Sequence, residues 1–242
     1  MTNEVKYLQW DSGFFGKKIG KIDLELSNDL NILLSDAKKM GYQLIYVFCN
    51  KNLEVDSEIL KQFNGKLMDI KNLYEKECDT TKEQSTFVSE YKSDFLTEEL
   101  AQLAYESGKF SRFKLDENFK KEDFYKMYRI WIENSVNHQI ADHVYVAKEN
   151  EQIKGMVTLR INKENGQIGL MAVSPEAQGK GYGKSLIYAC EKKLSETKIP
   201  KLKVPTQLEN KQACRFYEKC GFQIKTVTHI YHFWLYVKIL NK

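Results

Sequence analysis

Three glycines spaced two apart, Gly179, Gly181 and Gly183, stand in the run Gln178-Gly179-Lys180-Gly181-Tyr182-Gly183-Lys184. An apolar stretch ending at Ala172-Val173 precedes them, and an amphipathic stretch with Leu186, Ile187, Cys190 and Leu194 on one side follows. Strand, glycine turn and helix in that order make an anion site. Glycines let the backbone approach a ligand and take positive φ, while a helix start offers unpaired N–H groups and the positive end of its dipole. A diphosphate suits such a cradle; a turn that only joins strand to helix is the plainer alternative. The GxxxxGK[ST] pattern of a nucleoside-triphosphate loop is absent, and the spacing is not the GxGxxG of a dinucleotide fold.

Other residues able to do chemistry are thinly spread. Only four of the 37 basic residues are arginines (Arg112, Arg129, Arg160, Arg215), so each planar guanidinium is a candidate for anion recognition. His138, Asp142, His143, Glu133, His229 and His232 are candidate proton acceptors, and the sequence selects none of them. They lack HExxH or similar spacing, so no metal is expected. Five cysteines, an odd number without a CxxC pair, read as reduced, buried thiols. The net charge of +4, from 37 basic and 33 acidic residues, is not gathered into a basic block, which argues against a nucleic-acid partner. No apolar run approaches the ~20 residues of a membrane span, and the N-terminus does not read as a secretory signal. A cytoplasmic protein is expected.

The elements that must position these residues follow from periodicity. An α/β class is expected in two domains, 1–95 and 96–242. In the first, Asn28 to Met40 reads as a helix with Leu30, Leu33, Leu34 and Ala37 on one stripe, a Ser27 cap and a Gly41 stop. A buried strand at Gln43 to Cys49, a short helix at Ser57 to Phe63 and extended pieces at Gly65 to Ile70 and Ser85 to Tyr91 come next. The polar stretch Lys71 to Gln84 reads as a loop. In the second domain, Phe124, Met127, Tyr128, Trp131 and Ile132 mark an amphipathic helix over Lys121 to Ser135. Three strands, Val144 to Lys148, Ile153 to Ile161 and Gln167 to Val173, follow with hairpin turns between them. After the glycine turn and its helix come a strand at Leu202 to Thr206, a helix at Asn210 to Lys219 and an extended arm over Phe222 to Lys238.

Gln178, Gly181 and Gly183 match a Q/R-x-x-G-x-G/A signature, and with this element order over about 120 residues the second domain resembles the GNAT superfamily of acetyltransferases. The resemblance implies a mixed, centrally splayed sheet flanked by helices, with acetyl-CoA as co-substrate in the cleft between Ile168–Val173 and Leu202–Thr206. Leu170, Met171, Ala172 and Val173 would pair with the pantetheine arm. The backbone of Gln178, Gly179, Lys180, Gly181, Tyr182, Gly183 and Lys184 would hold the pyrophosphate. Asn210, a good helix N-cap in its own right, would also contact the arm. Tyr217, in Phe216-Tyr217-Glu218-Lys219-Cys220-Gly221-Phe222, resembles the family's YEKxGF segment, whose tyrosine is the general acid in many members; packing is the alternative role. The smaller first domain is expected to be a GNAT-like, incomplete copy.

Trp10-Asp11-Ser12-Gly13-Phe14-Phe15-Gly16, Ser111-Arg112-Phe113, Trp131 to Val136 and Tyr231 to Leu235 resemble the TDP-fucosamine acetyltransferase group. That resemblance implies a TDP-aminosugar as acceptor, dTDP-4-amino-4,6-dideoxyhexose, in surface polysaccharide biosynthesis. Phe14, Phe15 and Tyr231 would offer rings, and Arg112 or Lys109 a cation for the diphosphate. Gly13 and Lys17-Lys18 depart from the pattern and leave the sugar open. Another amine (an aminoglycoside, a polyamine or a protein N-terminus) and a non-catalytic CoA-binding module are the alternatives, and a homodimer is left open.

Overall fold

The computed structural model describes residues 4–79 and 86–235. It divides into two compact units, residues 1–72 with 226–242, and residues 73–225. Residues 80–84 of the expected loop, Ser85 of the expected strand and 236–238 of the expected arm lie outside the described residues.

The first unit contains β1 (Lys6–Tyr7), α1 (Gln9–Phe15), β2 (Ile19–Leu24), α2 (Leu30–Lys39), β3 (Leu44–Asn50), α3 (Ser57–Gln62), the first half of β4 (Gly65–Glu77) and most of β10 (Gln223–Trp234). β1 lies antiparallel to β2, β2 parallel to β3, and β3 antiparallel to β10. Leu30, Leu34 and Ala37 of α2 pack onto Ile45, Val47 and Phe233. β3 is an unbroken apolar run because it is paired on both edges and covered. The cap of α2 is Asp29, whose carboxylate accepts the Ile32 N–H at 3.1 Å, two residues beyond the expected Ser27.

The second unit contains the rest of β4, then β5 (Val88–Glu90), α4 (Glu98–Ser107), α5 (Arg112–Leu115), α6 (Lys121–Val136), β6 (His143–Glu149), β7 (Gln152–Ile161) and β8 (Gly166–Val173). A 3₁₀ turn (Pro175–Ala177), α7 (Tyr182–Glu196), β9 (Lys201–Gln207) and α8 (Lys211–Lys219) complete it. Its strand order is β4-β9-β8-β7-β6-β5. β5 to β8 are antiparallel neighbours, and β8 runs parallel to β9. Leu186, Ile187, Cys190 and Leu194 of α7 pack on Val157, Leu159 and Ile168, while α4 packs on β7 and β8 and pairs with α6. Asn150 and Glu151 turn β6 into β7 with φ of 49° and 64°, the backbone of a tight hairpin.

This division differs from the expected boundary at 95. Residues 73–79 and β5 pack with later elements because β4 is hydrogen-bonded beside β9 and β5 beside β6, whereas β10 pairs with β3. The expected loop at Lys71 is strand as far as Glu77. Its charges have partners from distant segments: Lys76, nearly buried, pairs with Glu191 of α7 and donates to the Cys220 carbonyl at 2.9 Å. α1 and α4 were not among the expected elements; Thr97 caps α4 through the Leu100 N–H.

All five cysteines are free, and burial pushes the Cys78 thiol up to about 12. Among the described residues no helix is long and apolar enough to cross a membrane, and no group of three metal-ligating side chains forms.

Replacing Lys76 by Met leaves the Glu191 carboxylate buried without its counter-charge. The expected cost is about 3 kcal/mol in urea unfolding, with most of it recovered in Lys76→Met/Glu191→Leu, where both charges are gone.

Candidate active site

The site begins where two parallel strands part. β8 and β9 share only two rungs, Gly166↔Leu202 and Gln167↔Lys203, although the strands run for eight and seven residues. A bulge accounts for the parting. Gly169 and Leu170 together face Thr158 of β7, and the Leu170 N–H goes to the Thr158 side chain at 2.9 Å. Bulges bend a strand and raise its twist, so β8 turns away from its neighbour. Pro205 of β9, which has no N–H to give, falls beyond the last rung, where no ladder asks for one. From Ile168 to Val173, β8 therefore presents backbone groups toward β9 without a strand partner, over about 20 Å at ~3.3 Å per residue. Peptide-like amides of an extended ligand fit that edge.

The glycine turn lies at the wide end of this V. Gly179 and Gly181 have φ of 80° and 89°, and a Cβ on either would meet nothing within 4 Å. Gly181 is the N-cap of α7, so no side chain claims the amides of the first turn. Residues 178–181 are exposed. Uncapped amides, the dipole and open space together suit a diphosphate. Gly183 is glycine for a different reason: its Cβ would come within 3.1 Å of the Phe216 ring. The turn is braced from outside. Gln178 donates to the Val173 carbonyl at 3.2 Å and accepts from Gln212 at 2.8 Å, and Lys180 pairs with Glu149 at 2.9 Å. Lys184 lies over the Tyr188 ring, and Tyr182 is buried edge-on to Phe87.

Asn210 caps α8, its side-chain oxygen accepting the Ala213 N–H at 3.2 Å. Seven residues on, Tyr217 is buried with its hydroxyl 3.8 Å from the Met171 sulfur of β8. Tyr74 and Phe222 flank its ring at 5.9 and 5.7 Å. Burial pushes the phenol well above its ordinary value, so it is protonated at neutral pH and able to donate. The fold thus brings Met171, the glycine turn and Tyr217 together. Thr158 and Gln212 carried no signal of their own in the sequence, since their partners lie 12 and 34 residues away.

The remaining candidates are placed as follows. His143 is hydrogen-bonded to Glu90, Asp142 pairs with Arg160 and accepts the Ile161 N–H, and His138 contacts the Asp142 carbonyl. Glu133 is exposed on α6. His229 and His232 belong to the first unit, His232 fully buried against Tyr46. Phe15 and Tyr231 are buried within the first unit, while half-buried Phe14 stacks on Trp10 at 5.0 Å. Arg112, over the Phe113 ring, and Lys109, paired with Glu106, belong to the second unit.

The first unit holds a second strand-turn-helix-strand, and it is closed. β2 and β3 stay paired through six rungs, from Ile19↔Leu44 to Leu24↔Cys49, and Asp29 fills the start of α2 with its own carboxylate. Between β2 and β3 that segment leaves no parted edge, and its helix start is not free.

A sequence model of the acetyltransferase (GNAT) family matches residues 96–222, just over half of the chain. The chain is 28% identical over 138 residues to the spore coat polysaccharide biosynthesis protein SpsD of Bacillus subtilis (strain 168), covering 57% of this chain and 47% of SpsD, so it spans about half of that relative's length. Among solved structures, a functionally unknown conserved protein from Staphylococcus epidermidis ATCC 12228 aligns with a TM-score of 0.69 at 13% identity, over 98% of this chain and 93% of that one. A tandem GNAT protein from the clavulanic acid biosynthesis pathway aligns with a TM-score of 0.55 at 12% identity, over 92% and 77% of the two chains. These structural likenesses are likenesses of fold.

Substituting Val for Gly181 strains a backbone at φ 89° by about 1–3 kcal/mol and puts a side chain into the space facing the turn. Acetyl-CoA affinity is expected to fall at least tenfold by calorimetric titration. Wild-type affinity would remove the turn from the cofactor site.

Proposed function

Because the chain belongs to the acetyltransferase (GNAT) family, whose members move an acetyl group from acetyl-CoA to an amine, we propose that its acceptor is a nucleotide-activated aminosugar and that Tyr217 is the general acid. The observation that carries the mechanism is the buried Tyr217 hydroxyl beside Met171 of β8, the strand that leads to the uncapped start of α7.

In this reading Leu170, Met171, Ala172 and Val173 hold the pantetheine arm by its amides, the backbone of residues 178–184 holds the pyrophosphate, and Asn210 adds a contact from the start of α8. Acetyl-CoA supplies the activated acyl group. The amine nitrogen bonds to the thioester carbonyl carbon and the C–S bond breaks. Tyr217 gives its proton to the departing sulfur and regains one, through solvent, from the nitrogen. The burial that raises the phenol's pKa keeps it in the donating form.

Support for a sugar acceptor comes from the likeness to SpsD, a polysaccharide biosynthesis protein by name. The acceptor is proposed as dTDP-4-amino-4,6-dideoxyhexose. The Arg112 guanidinium of α5 is a cation proposed to meet it. Thiol release from acetyl-CoA, followed against TDP-4-aminosugars, aminoglycosides, polyamines and peptide amines, tests this. Turnover confined to the aminosugar is expected; turnover only with another amine would discard the acceptor and keep the enzyme.

Tyr217→Phe is expected to lower kcat by about 10² to 10⁴ fold with acetyl-CoA affinity unchanged. An acid acts only while protonated, so raising its pKa moves the alkaline loss of activity upward. The wild-type kcat is therefore expected to hold beyond about pH 10, the ordinary tyrosine value. Unchanged turnover in the Phe variant would take Tyr217 out of the reaction.

A further inference from the structure

On β9 the side chains alternate, and the even-numbered ones, Leu202 and Val204, belong to the core shared with Tyr74, Tyr217 and α7. Lys201 and Lys203 therefore lie on the opposite face of the sheet. Tyr74 and Lys76 of β4 likewise point to the helix side, which leaves Glu75 facing the two lysines. Lys225, at the start of β10, joins them. The three ammonium groups converge on one carboxylate: Lys203 at 3.5 Å, and Lys201 and Lys225 at 3.7 Å each, with the Glu75 side chain only 15% exposed. Lys201 also reaches Glu77, 70% exposed, at 3.7 Å. Three positive and two negative groups leave a surplus of one, and the more solvated of the two carboxylates is the one at the edge.

The position of this cluster is as telling as its charge. Lys203 is the last residue of β9 paired with β8, so the cluster sits at the vertex of the V. An arm whose pyrophosphate rests at the start of α7 carries its thioester toward that vertex. α7 and α8 pack on the Tyr217 face, and the lysines lie on the other one, where Lys201 and Lys225 are 40% and 59% exposed.

We propose that Lys201, Lys203 and Lys225, gathered around Glu75 at the vertex where β8 and β9 part, bind the diphosphate of a nucleotide-linked acceptor. This rests on the acetyltransferase reading above and deepens its acceptor side. Glu75 holds the lysines together in the absence of the phosphate and is partly displaced by it. Ammonium groups suit the task because a diphosphate accepts charge-assisted hydrogen bonds from several directions.

The test uses the full chain saturated with CoA, so that the turn before α7 is filled, and titrates thymidine diphosphate, glucose 1-phosphate and thymidine. Thymidine diphosphate is expected to bind. Lys203→Gln is expected to weaken it about tenfold and Lys203→Gln/Lys225→Gln about a hundredfold, with CoA affinity unchanged. Glu75→Gln, which removes the competing carboxylate, should tighten it, the opposite sign to a general loss of structure. Thymidine binding should not respond to any of these. Glucose 1-phosphate binding as tightly as thymidine diphosphate, with the same lysine dependence, would overturn the nucleotide part. No binding of thymidine diphosphate, or equal binding to wild type and the double variant, would overturn the site. KM for the TDP-aminosugar separates the two readings: turnover with an unchanged KM in the double variant sinks the lysine site alone. Absence of turnover in wild type, with thymidine diphosphate still bound through the lysines, sinks the acceptor's sugar alone.

Discussion

A parallel strand pair that stops after two rungs is an unusual thing for a sheet to hold open. Each backbone N–H and C=O in the gap forgoes a ladder bond, which inside a protein costs as much as a lost hydrogen bond. β8 and β9 tolerate it because the bulge at Gly169–Leu170 is secured sideways by Thr158, and because Pro205 makes one of the groups in question unnecessary. The gap in turn sets where everything else must be. The helix that leaves β8 starts at the gap's wide end without a cap, and the helix that leaves β9 carries Tyr217 back to its wall.

The first unit makes the point by contrast. The order strand, helix, strand, helix, strand occurs as β2, α2, β3, α3, β4 and again as β8, α7, β9, α8, β10. In the first series the parallel pair is fully zipped and an aspartate fills the helix start; in the second the pair is parted and the start is a glycine at positive φ. Capacity for an extended, anionic ligand therefore follows from unpaired backbone and not from the order of elements. A handful of residues, Gly169, Gly181 and Pro205 against Asp29, separates the open arrangement from the closed one.

β4 shows what charge can conceal. Glu75-Lys76-Glu77 after a polar lead-in reads as a solvated loop, yet it is strand. Lys76 is buried against Glu191, and Glu75 is enclosed by three lysines from β9 and β10. Alternation is present there, with Tyr74 and Lys76 on one face and Glu75 and Glu77 on the other. It is written in charges that only distant partners neutralise, so a rule tuned to apolar periodicity passes over it.

Read by itself, the chain determined what depends on neighbours in sequence. That covers the stripe of α6, the meander of β6 to β8, the glycine turn with its required positive φ, the Asn210 cap and the family likeness carried by Gln178, Gly181 and Gly183. The positions of the candidate site residues along their elements were legible for the same reason. Only the tertiary structure decided that Thr158 secures the bulge at which β8 bends away from β9, that Tyr217 faces Met171, that β10 returns to pair with β3, and that four charges from β4, β9 and β10 meet at one point. Each of these joins residues 12 to more than a hundred positions apart, and no local propensity encodes a distance that chain folding alone closes.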